Sequence, residues 1–203
     1  MGLMQDKVAV VTGAAEGIGR AVAELLAAEG ASVVVADLGC AADGSGSSPE
    51  PAEAVARAIR EGGGRAIACH ASVTSREDVR RIMATAQEHF GGLDALLCCA
   101  GIQRDRGLAN LREEDWREVV EVVLTGTFHC VQAAIEPLKA RGGGAIVTTT
   151  GLAGLHGNFA QANLSAASAG VYGLTRTASV ELQRHSIRVN AVAPLAKTRQ
   201  TAE

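Results

Sequence analysis

Aromatic residues are nearly missing from this chain of 203 residues: Phe, Trp and Tyr together make up 2%, and Trp116 and Tyr172 are each the only one of its type. A chain so poor in large flat side chains, with 24 glycines, builds its interior from Ala, Val and Gly, which suits helices lying close against a sheet. Lysine is scarce as well, with only Lys7, Lys139 and Lys197. The one dense basic stretch is QRDR at 103–106 and the net charge is -3, so neither a nucleic-acid footprint nor a basic membrane patch is expected. No run approaches the roughly 18 consecutive apolar residues of a membrane span. The opening MGLMQDKVAVVTG lacks the basic-then-apolar layout of a secretory signal. A cytoplasmic protein with no membrane partner is the expectation.

Cysteine is present but unpatterned. Cys40, Cys69, Cys98, Cys99 and Cys130 are odd in number and match no zinc spacing, so they read as small buried hydrophobes and no metal is expected. The adjacent thiols of Cys98 and Cys99 are the one arrangement that suggests redox chemistry. Their place at the end of an apolar strand favours burial.

What is there in abundance is alternation. Apolar runs of strand length at 7–13, 31–37, 65–71, 93–101, 144–151 and 186–194 are separated by amphipathic stretches near 17–30, 51–62, 75–90, 112–140 and 161–185. Continuous apolar strands with helices between them predict a parallel sheet covered on both faces. The expected architecture is α/β: one Rossmann-type, doubly wound domain over 1–203 with six strands and right-handed crossovers. Turn-forming residues gather at 38–51, LGCAADGSGSSPEP, which reads as a surface insertion after the second strand.

TGAAEGIG at 12–19 follows the first strand and opens a helix, the context in which a glycine motif carries meaning. Gly13 permits the tight turn, Gly17 lets backbone approach a pyrophosphate, and Gly19 allows close helix packing. Asp37 ends the second strand about twenty residues on, where a carboxylate accepts both ribose hydroxyls. It would repel a 2'-phosphate, and Glu16 adds to that repulsion, so NAD(H) is the expected cofactor and NADP is disfavoured. Further along the chain, QANLSAASAG at 161–170 opens a helix that sets Leu164 and Ser168 one turn apart on the same face. Neither side chain moves a proton at neutral pH.

These motifs, with CCAG at 98–101, GLAGLHGN at 151–158 and NAVAP at 190–194, resemble the short-chain dehydrogenase/reductase family over the whole chain. AGIQRDRGLANLREEDW, GNFAQAN and APLAKTRQT, together with the insertion after Asp37, look most like the hydroxyacyl-CoA dehydrogenase module of multifunctional β-oxidation enzymes. The resemblance implies that Thr12 and Ile18 beside the glycines, Ser72 and Val73 after the third strand, Ala100 and Gly101 after the fourth and Pro194 after the sixth line a cofactor site. It also implies a catalytic tyrosine, a lysine four residues later, a serine and an asparagine. The matching positions here hold Leu164, Ser168, Gly151 and Val123. The carboxylate that the family places against adenine is replaced at Ala71 or Ser72.

A tyrosine hydroxyl with a reference pKa of about 10 needs a nearby cation to act near neutrality, and general acid–base help is worth about 10²- to 10⁴-fold in rate. None of the three lysines falls in the helix, and Tyr172 lies on the order of 12 Å further along it than Leu164. His156, after the fifth strand, is the one titratable candidate to substitute. The chain ends at Glu203, where the family's pattern continues into a substrate-covering segment and a seventh strand. The resemblance therefore implies no lid and an exposed sixth strand. It also implies pairing through 112–140 and 161–185, as a homodimer or with a homologous subunit.

Three functions are compatible with this pattern. The first is a scaffold of the family that retains an NAD site without self-sufficient dehydrogenase chemistry and serves as a binding or partner protein. The second is an NAD(H)-dependent oxidoreductase on a hydroxyacyl or other alcohol or ketone substrate, with displaced catalysis. The third is a non-redox cyclase- or isomerase-type enzyme that orients a small-molecule ligand in an apolar pocket.

Overall fold

The apolar runs form six parallel strands in a computed structural model that describes residues 2–201; Met1, Ala202 and Glu203 lie outside the described residues. The strands are β1 Val8–Thr12, β2 Ser32–Asp37, β3 Arg65–His70, β4 Ala95–Cys98, β5 Gly144–Thr149 and β6 Ile187–Val192. Their spatial order is β3-β2-β1-β4-β5-β6, with β6 at an edge among the described residues. Val10 sits in register between Val34 and Leu96, and all three are fully buried, as expected of a sheet covered on both faces. The order reverses between β1 and β4, which opens a crevice at the carboxyl ends of these strands.

Helices cover both faces. On one side α1 Gly17–Ala28 and α2 Glu50–Glu61 bury Ala23, Ala27, Val55 and Ile59 against Val33 and Val35. On the other, α3 Arg76–Phe90 places Val79, Ile82 and Met83 in the larger core cluster. Ser75 caps α3 by accepting the Asp78 N–H at 3.1 Å, and Gly91 ends it at φ 80°.

The stretch expected as one helix over 112–140 is three pieces: α4 Glu113–Val120, a π-helical turn Glu121–Thr125 and α5 Gly126–Ala140. The wide turn resets the helical phase so that Gly126 faces Val73, where a Cβ would come within 2.6 Å of Val73 Cγ2. The continuous helix Glu113–Ala140 is long and apolar enough to cross a membrane by length and composition. Here it carries core residues Cys130, Val131, Ala134 and Leu138 against the sheet.

After β5 come a short α6 Ala153–His156, absent from the sequence expectation, and the long α7 Ala162–Leu182. The insertion is shorter than expected, because α2 begins at Glu50. It is tied down at several points. The Gln103 N–H donates to Ala42 O at 2.9 Å, Arg104 Nε to Asp43 O at 2.8 Å, and His70 Nε2 lies 2.9 Å from Ser47 Oγ.

Candidate functional site

The glycine turn between β1 and α1 gives each of its glycines a different surrounding. Gly13 has φ 64° and a Cβ there would lie 2.7 Å from Ala100 Cα, while a Cβ on Gly19 would lie 2.0 Å from Gly13 O. Both positions are closed by backbone. Gly17, at φ 55°, is open: a Cβ would meet only the Thr198 side chain, at 3.4 Å. Asp37 is fixed beside this turn, its carboxylate accepting the Ala15 N–H at 2.9 Å and the Gly39 N–H at 2.7 Å.

These groups face a cleft of about 390 Å³. Of the residues expected to bind a cofactor, Gly13, Gly17, Ile18, Gly19 and Asp37 line it from one side, and Ser72, Val73, Ala100 and Gly101 from the other. Thr12 and Pro194 do not. Thr12 is buried at the end of β1, and its Oγ1 has no hydrogen-bond partner among the described residues. Ser72 supplies no carboxylate: its N–H donates to Asp78 Oδ2 at 2.9 Å and its hydroxyl pairs with Thr74 at 2.8 Å.

Several wall residues had no assigned role in the sequence reading, and two groups of them come from loops. Cys40 and Gly44 come from the insertion, and Thr198 and Arg199 from the segment after β6. Arg199 Nε reaches Glu16 Oε2 at 2.9 Å, and Gln200 Nε2 donates to Gly101 O at 3.0 Å.

The four expected catalytic positions sit apart from this cleft's lining, in apolar or closely packed surroundings. Leu164 packs on a buried cluster of Ile102, Val119, Val123, Ala167 and Val171. Val123 lies in the π-helical turn, where its carbonyl accepts the Thr127 hydroxyl at 2.7 Å. Ser168 is 1% exposed and pressed between the two glycines around α6's start. A Cβ on Gly151 would lie 3.2 Å from Ser168 Oγ, and one on Gly154 would lie 2.6 Å from Ser168 Cβ. His156 ends α6 exposed to solvent and does not line the cleft. Tyr172 is 40% exposed, its hydroxyl accepting from Arg176 Nη1 at 3.1 Å.

Beside Leu164 lies an ionic knot that the sequence reading did not find. Asp115, 2% exposed, takes Arg112 at 2.7 and 2.8 Å, Arg106 at 3.0 Å and Arg104 at 3.3 Å. The Arg112 hydrogen bonds lead in holding this carboxyl well below the usual range, with Arg104 and Arg106 adding to them against the opposing effect of burial. Asn163, fully buried at the start of α7, donates to Arg104 O and Asp115 O at 3.0 and 3.1 Å. The signal for this was present in QRDR and LREEDW, but nothing local says that three arginines converge on one aspartate.

The adjacent cysteines are not poised for redox chemistry. Burial pushes the Cys99 thiol up to about 11, and the hydrogen bond with Cys130, together with burial, raises Cys98 well above the ordinary thiol range. All five cysteines are free thiols. Among the described residues no group of three or more His, Cys, Asp or Glu side chains gathers as a metal site.

Comparison with known proteins fits this geometry. A family model described as short chain dehydrogenase matches residues 7–202. A protein of Mycobacterium tuberculosis named as a short-chain type dehydrogenase/reductase is 42% identical over 98% of this chain and 70% of its own length. Peroxisomal multifunctional enzyme type 2 of Drosophila melanogaster is 43% identical over 96% of this chain, which spans 32% of that enzyme. The crystal structure of carveol dehydrogenase from Mycobacterium avium in complex with NAD superposes with a TM-score of 0.89 at 33% identity, over 96% of this chain and 72% of that one. The sheet order, the glycine turn and these matches converge: the chain belongs to the short-chain dehydrogenase family.

Proposed function

We propose that this chain binds NAD(H) in the cleft but is not a self-sufficient dehydrogenase, and that it acts as a binding or partner member of its family. The observation that carries this reading is the setting of Leu164, where a proton donor would be needed and an aliphatic cluster of Ile102, Val119 and Val123 is found.

The residues present fit the adenosine and phosphate half of the dinucleotide. Gly17 is open toward the cleft, the first-turn N–H groups of α1 offer donors to phosphate oxygens, and Asp37 is held rigidly by two N–H groups. Each Asp37 oxygen retains acceptor capacity for a ribose hydroxyl. The same negative charge disfavours a 2'-phosphate and so NADP. The bound NAD complex of a 33%-identical relative supports the choice of ligand. NAD(H), when bound, supplies hydride chemistry. The chain's own residues bind and orient it, and no side chain at positions 123, 151, 164 or 168 holds a titratable proton near neutrality.

For a partner role, Tyr172 and Val180 on α7 and Trp116 on α4 are 40%, 75% and 37% exposed, which supports pairing with a second copy or a homologous subunit through these helices. A monomeric mass by light scattering, both alone and mixed with an intact homologue, would count against that role.

Titration with NADH, followed by fluorescence, tests the main reading. Saturable binding is expected, with no NADH consumption on hydroxyacyl or ketone substrates; steady oxidation of NADH overturns it. In a Gly151→Ser/Leu164→Tyr/Ser168→Lys variant, restored acid–base help should make NADH consumption on such substrates measurable.

A further inference from the structure

The charge on the cleft walls is one-sided. Glu16, Asp37, Glu118 and Glu121 line it, and the only cationic side chain that does so among the described residues is Arg199. Glu118 is paired with Arg104, so a ligand with a diphosphate would meet three further carboxylates and one guanidinium.

That guanidinium is already engaged. Its Nε lies 2.9 Å from Glu16 Oε2, with the two side chains 38% and 47% exposed. Glu16 occupies the N-cap position of α1, yet its side chain makes no capping hydrogen bond, so its carboxylate is directed to Arg199 and not to the helix. The residues on either side of Arg199 draw this segment across the cleft. Thr198 lies over Gly17, the open glycine, and Gln200 donates to Gly101 O on the opposite wall. The Cys40 thiol, raised first by burial and then by Asp37, is partly lowered again by Arg199, which brings that cation's field to the β2 side of the cleft as well.

An exposed ion pair of this kind is weak and opens at little cost. A diphosphate offers more negative charge than one carboxylate, and its oxygens accept the guanidinium's paired N–H groups in bidentate fashion. We propose that Arg199 is the anion-binding group of the cleft and Glu16 its resting partner. A nucleoside diphosphate ester takes Arg199 from Glu16 and displaces the Thr198 side chain from over Gly17. The proposal rests on the reading of the cleft as a nucleotide site and adds the residue that answers the phosphate charge. Glu16 and a phosphate compete for one cation, so removing Glu16 and removing Arg199 act in opposite directions.

Calorimetric titration of the full chain with ADP-ribose and with adenosine, at two salt concentrations, tests this. Arg199→Gln is expected to weaken ADP-ribose about tenfold or more and to flatten its salt dependence, whereas Glu16→Gln tightens it by about threefold or more. Adenosine, which lacks phosphate, should bind all three proteins alike, and Arg199→Lys should keep part of the ADP-ribose affinity. Unchanged ADP-ribose binding in Arg199→Gln overturns the proposal while leaving the nucleotide site standing. So does an equal loss for adenosine, which would mark Arg199 as merely structural. Failure of the unaltered protein to bind ADP-ribose at all sinks both readings.

Discussion

Gly19 has no room for a side chain, because a Cβ would press on the Gly13 carbonyl at 2.0 Å and on Ala14 Cα at 3.1 Å. Gly17, two residues earlier, has room but a positive φ of 55°, and its Cβ would point at the mouth of the cleft. The two alanine variants should therefore fail differently. Gly19→Ala forces the turn apart and is expected to cost about 1–3 kcal/mol of stability. Gly17→Ala is expected to cost about 1 kcal/mol through backbone strain while reducing NADH affinity more than it reduces stability. Thermal melts with and without NADH read both; a larger stability loss for Gly17→Ala would reject this division of roles. The distinct parts played by Gly13, Gly17 and Gly19 were legible in the sequence because a strand on one side and a helix on the other fix where each must face. The pairing of Glu16 with Arg199 was not, since no local pattern links a residue at the first turn with one beyond the last strand. The same holds for Asp115, whose three arginine partners are adjacent only after the β4 loop folds back on α4.

At the scale of elements, strands were read most securely. A continuous apolar run flanked by turn formers leaves few alternatives, and β2, β3 and β5 begin or end within a residue or two of the expected limits. Two helical features escaped. The π-helical turn Glu121–Thr125 depends on how Gly126 meets Val73, a contact across the fold. Helix α6 forms in GLAGLHGN, whose glycines signal a loop, because Gly154 lets that turn lie directly on α7. A Cβ at Gly154 would come within 2.6 Å of Ser168 Cβ and 2.7 Å of the Ala169 backbone nitrogen. Backbone cannot yield as a flexible side-chain tip can, so Gly154→Ala is expected to destabilise the protein by about 1–3 kcal/mol. Urea denaturation would measure it, and a neutral or stabilising result would mean that α6 moves freely against α7. The same contact constrains any attempt to restore a lysine at 168, because that side chain must leave a site already closed by two glycines.

Over the whole molecule, two carboxylates hold distant parts together and give the fold a defined response to acid. Asp94 accepts the Val8 N–H at 2.9 Å, Arg141 at 2.9 Å and Lys7 at 3.4 Å, joining β1, β4 and the end of α5. Burial alone would raise its pKa; the Arg141 hydrogen bond, the Val8 N–H and the nearby cations outweigh that and lower it. Asp115 joins the β4 loop to α4 and, through Asn163, to α7, with Arg112 foremost in lowering its pKa. A carboxyl whose folded pKa lies below its unfolded value binds fewer protons folded than unfolded. Its contribution is complete above the unfolded value of about 4 and is lost as pH falls from there toward the depressed folded value. Stability should thus stay nearly level from pH 7 to about pH 5 as far as these two groups are concerned, then decline below about pH 4. Asp115→Asn leaves Arg104, Arg106 and Arg112 without their shared anion, so this variant should be less stable than the unaltered protein at pH 7. The deficit should narrow toward pH 3, where Asp115 of the unfolded parent takes up a proton that the folded parent does not, while the slope due to Asp94 persists in the variant. Chemical denaturation of both proteins at pH 7, 5 and 3 provides the comparison. A deficit that is the same at all three would show that Asp115 stabilises through shape and hydrogen bonding alone, and that its charge contributes nothing to the acid response.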